Sequence, residues 1–289
     1  MNITWKYIKR CIANITNRDF KKWMITADRN PYIVEFRQLG EKQSDRNIYI
    51  IENDDKSHGF FAEYRMTLNY LAFADRYHFV PYIWYNKDYR YAEKTRILDT
   101  DNPFEYYFEQ PSDLHYEDAY AGKNVVFAKN AHGDMVEAFN RKCCSYEITD
   151  TYIEEIAKIA KKYIRYNKAT KTYLDTEYRK IKKKGRILGV HYRGSDFKEN
   201  YDNHPVSIEL RDFTENVKKI VNEKHFSHIF LATDDLEAVK VFKEMFSEML
   251  LCYDDVCRTD GEVSVAYSED EREYHHYKLG LEVLRDMYT

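Results

Sequence analysis

The apolar positions along the chain change period at regular intervals. Asn47-Ile48-Tyr49-Ile50-Ile51 is a short β-prone run, followed by the polar stretch 52–59 and then by Phe61, Tyr64, Leu68 and Leu71 at helical spacing. This predicts strand, loop, helix. The run 79–84 predicts a second strand, in which Pro81, lacking an N–H for a ladder, marks an edge or strand-entry position. A third strand is expected at 124–128, so that residues 1–150 form an N-terminal α/β domain. The segment 151–184 is charged and helical, with Ile153, Ile156, Ala160 and Tyr163 on one face, and is expected to bridge two domains.

A more regular alternation follows: strand 186–192, helix 207–223, strand 228–232, helix 235–248 and strand 249–253. Strands alternating with helices predict a parallel sheet in a Rossmann-like C-terminal domain, 151–289. Leu210, Phe213, Val217 and Ile220 make one buried helical stripe, and Tyr277, Leu281 and Leu284 make another. Ser207 and Asp234 stand where side-chain oxygens can cap the two helices that follow them.

Composition narrows the class. In 289 residues, 44% hydrophobic content suffices for a sizeable core, and the length lies between one large domain and two modest ones, of which two are expected. A net charge of −4 provides no basic field for a nucleic-acid partner, so a polyanionic ligand has to be held locally. Five cysteines, an odd number without regular spacing, make no disulfide framework and fit a reducing compartment. With no long apolar run, a cytoplasmic location is expected. In the segment 5–25, Trp5, Ile8, Ile12 and Ile15 recur at helical spacing beside Lys and Arg; this is read as a helix packed on the protein or an N-terminal arm, the alternative being peripheral contact with an anionic membrane surface.

Two polar clusters close predicted strands. The first strand ends in His191-Tyr192-Arg193-Gly194-Ser195-Asp196 and the second in Ala232-Thr233-Asp234-Asp235. In an open parallel sheet, ligands bind outside the carboxyl ends of the strands, so both clusters point to one cleft. Arg193 can offer two parallel N–H donors to a phosphate, and Gly194 permits close backbone approach, which makes a diphosphate the natural occupant. Asp196 can hold the guanidinium or fix the loop, and Asp234 or Asp235 can accept hydrogen bonds from a sugar or ribose hydroxyl. None of these roles needs a metal.

The order His-x-Arg-x-x-Asp, then Ala-Thr-Asp-Asp, then His204-Pro205 between them and Leu279–Asp286 near the end, resembles the fucosyltransferase superfamily over roughly residues 160–289. Gly59-Phe60-Phe61 opening a helix is similar to that family's N-terminal glycine loop, although the chain has His58-Gly59 where the family shows two glycines and an amide residue. The resemblance implies a GT-B-like pair of Rossmann-type domains, a GDP-fucose donor held by the C-terminal one, a glycan or polysaccharide acceptor on the N-terminal side, and metal-independent transfer with inversion. It implies that Arg193 binds the pyrophosphate, that His191 and Asp196 shape its loop, and that Thr233, Asp234, Asp235, Asp286 and Gly59 lie at the donor. Arg193 would stabilise the charge developing on the departing GDP, and Glu199, shortly after the Arg motif, is the candidate base for the acceptor hydroxyl.

Two departures from the pattern carry expectations of their own. Gly194 stands where many relatives carry a second Arg, so the leaving group is expected to rely either on one guanidinium or on another cation such as Lys198. The chain ends at Thr289 within a helical pattern, where the family continues through a final strand and a Ser-containing phosphate loop; the donor sheet is therefore expected to be incomplete. That leaves a second reading, an inactive relative retaining only nucleotide-sugar binding or the fold. A third is a metal-dependent GT-A-type transferase using Asp99 and Asp101, against which Asn102-Pro103 and the helical reading of 104–108 favour a capped turn. A zinc site from Cys252, Cys257, His275 and His276 is disfavoured by the ligand spacing and by Cys252 lying on a predicted core strand, Cys143-Cys144 is read as two small packing residues, and most of the 27 tyrosines are read as packing, the alternative being stacking on sugars.

Overall fold

A computed structural model of the chain describes residues 34–53, 59–128, 150–194, 208–260, 264–269 and 271–289. The segment 5–25 and the residues Cys143, Cys144, Ser195, Asp196, Lys198, Glu199, His204, Pro205 and Ser207 lie outside them. The chain divides into two compact α/β units, Met1–Asn167 and Lys168–Thr289.

The first unit is built on strands β1 (Val34–Arg37), β2 (Lys42–Asn53), β3 (Val80–Tyr85) and β4 (Gly122–Ala128), in the order β1-β4-β2-β3. β2 runs parallel to both neighbours, pairing Ile50 with Tyr82 and with Phe127, whereas β1 is antiparallel to β4. Helix α1 (Phe60–Arg76) makes the crossover from β2 to β3 and covers one face, where Tyr49, Phe73 and Phe79 stack together. On the other face Ile48, Ile50, Tyr82, Val125 and Phe127 pack under Leu114 and Ala119, the latter on the single turn α2 (Tyr116–Ala119).

β3 is an edge strand, as Pro81 implied. Its outward backbone groups are nevertheless engaged by side chains. The Gln110 amide accepts from Ile83 N at 3.0 Å and donates to Ile83 O at 2.8 Å. Asn102, fully buried, accepts from Tyr85 N at 3.0 Å and donates to Ile83 O at 2.8 Å, and the Ser112 hydroxyl donates to Pro81 O. Residues 103–107 form turns rather than the expected helix, and Asn102 Oδ1 also accepts from Phe104 N.

The bridging helix is two helices, α3 (Asp150–Tyr163) and α4 (Lys168–Lys182). α3 packs on α1 within the first unit, where Tyr163 and Lys162 both bond Asp75, so the division falls after Asn167 rather than near residue 150. The break at 164–167 is held by tertiary bonds: Glu109 N donates to Arg165 O, and the Asn167 amide donates to the carbonyls of Glu105 and Tyr106.

The second unit carries β5 (Ile187–Tyr192), β6 (His228–Thr233) and β7 (Leu250–Leu251), all parallel in the order β5-β6-β7. Helices α5 (Leu210–Lys224) and α6 (Leu236–Phe246) supply Val217, Val221, Ala238, Phe242 and Phe246 to a core with Val190, Tyr192, Ile229 and Leu231. Helix α7 (His275–Tyr288) packs on α4 and buries Arg285, whose guanidinium lies 3.8 Å from the Tyr253 ring centroid, donates to both Asp255 oxygens and reaches Tyr173 Oη. Of the two expected caps, Asp234 is displaced by its neighbour: Asp235 occupies the N-cap of α6 and accepts from Glu237 N at 2.7 Å and Ala238 N at 3.3 Å.

Candidate functional site

The parallel register of β5 and β6 sets Tyr192 beside Thr233, so the two strands end at the same level. Val190 and Tyr192 point into the core, which by strand alternation turns His191 to the opposite face. Arg193, the first residue past β5, is exposed. The two polar clusters expected to meet are thereby brought together, and a hydrogen bond ties them: Gly194 N donates to Asp234 Oδ1 at 3.1 Å.

Gly194 is buried against the turn that starts α6. A Cβ built at this position would overlap the Asp235 carboxylate, so no side chain fits beside that cap without displacing it. This is the physical reason a second arginine has no place after Arg193. Asp235 is itself only 1% exposed, and its backbone N–H is taken by Thr233 Oγ1 at 3.1 Å. Its carboxylate faces inward onto the helix terminus, so its part is to hold the turn. Asp234, half-buried, is the carboxylate of the pair that stands at the strand-end loop.

The electrostatics of the strand ends are mixed. His191 keeps a solvent-accessible edge, yet surrounding protein desolvates the ring and holds its pKa below the usual histidine range; Asp234 pulls in the other direction and Arg193 adds to the lowering. A neutral imidazole beside a guanidinium leaves Arg193 as the fixed positive charge of the two.

Thr259 is a neighbour that sequence reasoning missed. The segment after β7 returns to the end of β6, where Thr259 N donates to Asp234 O and Leu236 N donates to Thr259 O, both at 2.9 Å. The only hint in the sequence is the turn-like Thr259-Asp260-Gly261, with no hydrophobic period around it.

Asp286 lies on α7, with Arg258 and Arg285 as its nearby cations, and forms no hydrogen bond with the described residues. Burial raises its carboxyl to about 7, against the pull of Arg285 and Arg258 and with help from Glu282 and Asp255. Gly59 belongs to the first unit, at the N-cap of α1, and a Cβ there would meet nothing within 4 Å. Glu199 and Asp196 lie outside the described residues.

Asp99 and Asp101 sit on an exposed turn closed by reciprocal Ile97 and Thr100 backbone bonds, with Arg96 reaching Asp99 O and the Asp101 carboxylate. His275 is engaged by Arg272 and Ser268, and among the described residues no group of three or more His, Cys, Asp and Glu side chains is placed to hold a metal ion. No helix among them is long and apolar enough to cross a membrane.

No protein-family model matches the chain. No curated protein matches it either. Among solved structures, NodZ α-1,6-fucosyltransferase soaked with GDP-fucose is similar over 84% of each chain, at 17% identity and a TM-score of 0.46. The same enzyme co-crystallised with GDP gives 15% identity and 0.48 over the same shares, and fucosyltransferase NodZ from Bradyrhizobium gives 15% and 0.46.

Proposed function

We propose that this chain is a GDP-sugar-dependent glycosyltransferase of the fucosyltransferase kind, its donor held at the carboxyl ends of β5 and β6. The observation that carries the reading is the Gly194 N–H to Asp234 hydrogen bond, which joins the two motif-bearing strand ends and leaves Arg193 exposed beside them. A guanidinium held there suits a diphosphate, because its paired N–H donors match two phosphate oxygens. Asp234, at the same loop, is the acceptor for a ribose or sugar hydroxyl.

As the sugar–phosphate bond breaks, negative charge grows on the departing nucleotide, and a cation already in place lowers that barrier without reorganising. Arg193 has that part. The acceptor is a glycan hydroxyl, deprotonated by a carboxylate for which Glu199 is the candidate, and transfer proceeds with inversion and without metal. The GT-B-like pairing of two Rossmann-type units belongs to the same proposal.

Calorimetric titration of the full chain with GDP, GDP-fucose and UDP-sugars, with EDTA present, tests the reading. Selective binding of GDP compounds, weakened about tenfold to a hundredfold in Arg193→Ala as expected for a lost charge-assisted contact, would support it. A folded protein that binds none of them would overturn it in favour of a non-catalytic relative, and binding that requires a divalent cation would favour the Asp99 and Asp101 alternative.

A further inference from the structure

At the carboxyl ends of β2 and β3 in the first unit, three aromatic rings form a continuous surface. Trp84, the penultimate residue of β3, meets Tyr116 with ring centroids 4.7 Å apart, and Tyr116 stacks on Tyr120 at 4.4 Å and 25°. The inner part of this group is anchored in the core: Tyr120 contacts Tyr82 and Phe127 edge-on. The outer part is not. Tyr116 is 43% exposed and Trp84 is half-buried, although both are large apolar groups that ordinary packing would cover.

The polar atoms around these rings are left over as well. Glu52, paired with Trp84 across the parallel ladder, accepts from Tyr120 Oη at 2.6 Å through Oε1. Among the described residues, its Oε2, the Trp84 indole N–H and the Tyr116 hydroxyl have no hydrogen-bond partner, and neither Glu52 Oε2 nor the Trp84 indole nitrogen is fully buried. One carboxylate oxygen, one N–H donor and one hydroxyl therefore border an exposed aromatic face at the end of a parallel sheet, where ligands of such sheets bind.

We propose that Glu52, Trp84 and Tyr116 form a saccharide subsite that takes a neutral pyranose ring of a glycan. A pyranose has an apolar C–H face that lies flat on an aromatic ring and hydroxyls at its rim that require donors and acceptors. The surface offers both. Charge selects among sugars: Glu52 and the exposed Glu117 disfavour uronic, sulfated or phosphorylated rings. Tyr116 and Tyr120, stacked at 4.4 Å, leave no space between them to cage a quaternary ammonium group, the other ligand of aromatic clusters, which could lie only on an open face. The subsite rests on the first unit alone and is independent of nucleotide binding by the second.

The test is binding of neutral tetrasaccharides built from glucose, galactose, mannose or N-acetylglucosamine to the full chain without nucleotide. It is read by saturation-transfer NMR and by calorimetry, beside a tetragalacturonate and tetramethylammonium. At least one neutral tetrasaccharide is expected to bind, weakened about threefold to tenfold in each of Tyr116→Ala and Glu52→Gln. GDP titration of the same variants should be unchanged, which also shows them folded. Absence of binding by every neutral sugar, binding that both variants leave intact, or preferential binding of tetragalacturonate or tetramethylammonium would overturn the proposal.

Discussion

Asp286 and Asp235 are both acids near helix termini, yet they differ in their hydrogen-bond partners. Asp235 receives two backbone N–H groups and is satisfied where it stands. Asp286 receives none from the described residues, and its folded-state pKa lies near 7, well above that of the unfolded chain. A raised acid pKa means the folded state binds the proton more tightly, so this residue's contribution to stability is fully favourable below about pH 4 and is lost as pH rises towards 7. Asp286→Asn removes the charge while keeping the shape. It is expected to stabilise the protein by on the order of 1–3 kcal/mol at pH 7.5, with the gain vanishing at pH 4; urea denaturation at both pH values measures this. A destabilised variant at pH 7.5 would mean that the carboxylate has a partner when ionised. None of this was legible in the sequence, where Asp286 stood out only through a motif resemblance, since desolvation depends on how α7 is covered.

At the scale of elements, the strand-end clusters were legible because a strand that stops at a polar cluster announces its own carboxyl end. The parallel register then had to bring His191–Gly194 and Thr233–Asp235 to one level. The cap was misread by one residue because Thr233-Asp234-Asp235 offers two adjacent carboxylates, and only backbone geometry decides which one precedes the first helical turn. Asp235→Ala should cost about 1–2 kcal/mol, the usual loss for an N-cap acid, and Asp234→Ala less, as seen in chemical denaturation; the reverse order would return the cap to Asp234. The break between α3 and α4 was invisible for a different reason. Residues 164–167 contain neither Gly nor Pro, and bonds from Glu109 and to Glu105 and Tyr106, remote in sequence, end the helix there.

For the whole molecule, the α/β class followed from alternating periodicity, while the extent of the first unit depended on which partner α3 chose. The two units offer separate chemistries, and amide hydrogen exchange can tell them apart. Saturating GDP is expected to slow exchange at 191–194, 233–236 and Thr259, and to leave Trp84 and 116–120 unaffected; protection confined to the first unit would contradict the donor assignment. The edge of β3 has a consequence for how copies of the protein behave at high concentration. Asn102, Gln110 and Ser112 already occupy the slots that an incoming strand would need, and Pro81 has no N–H to offer. A second molecule finds no template along that flank, so ribbon-like polymerisation cannot start there, and crowding the protein leaves β3 inert as a seed.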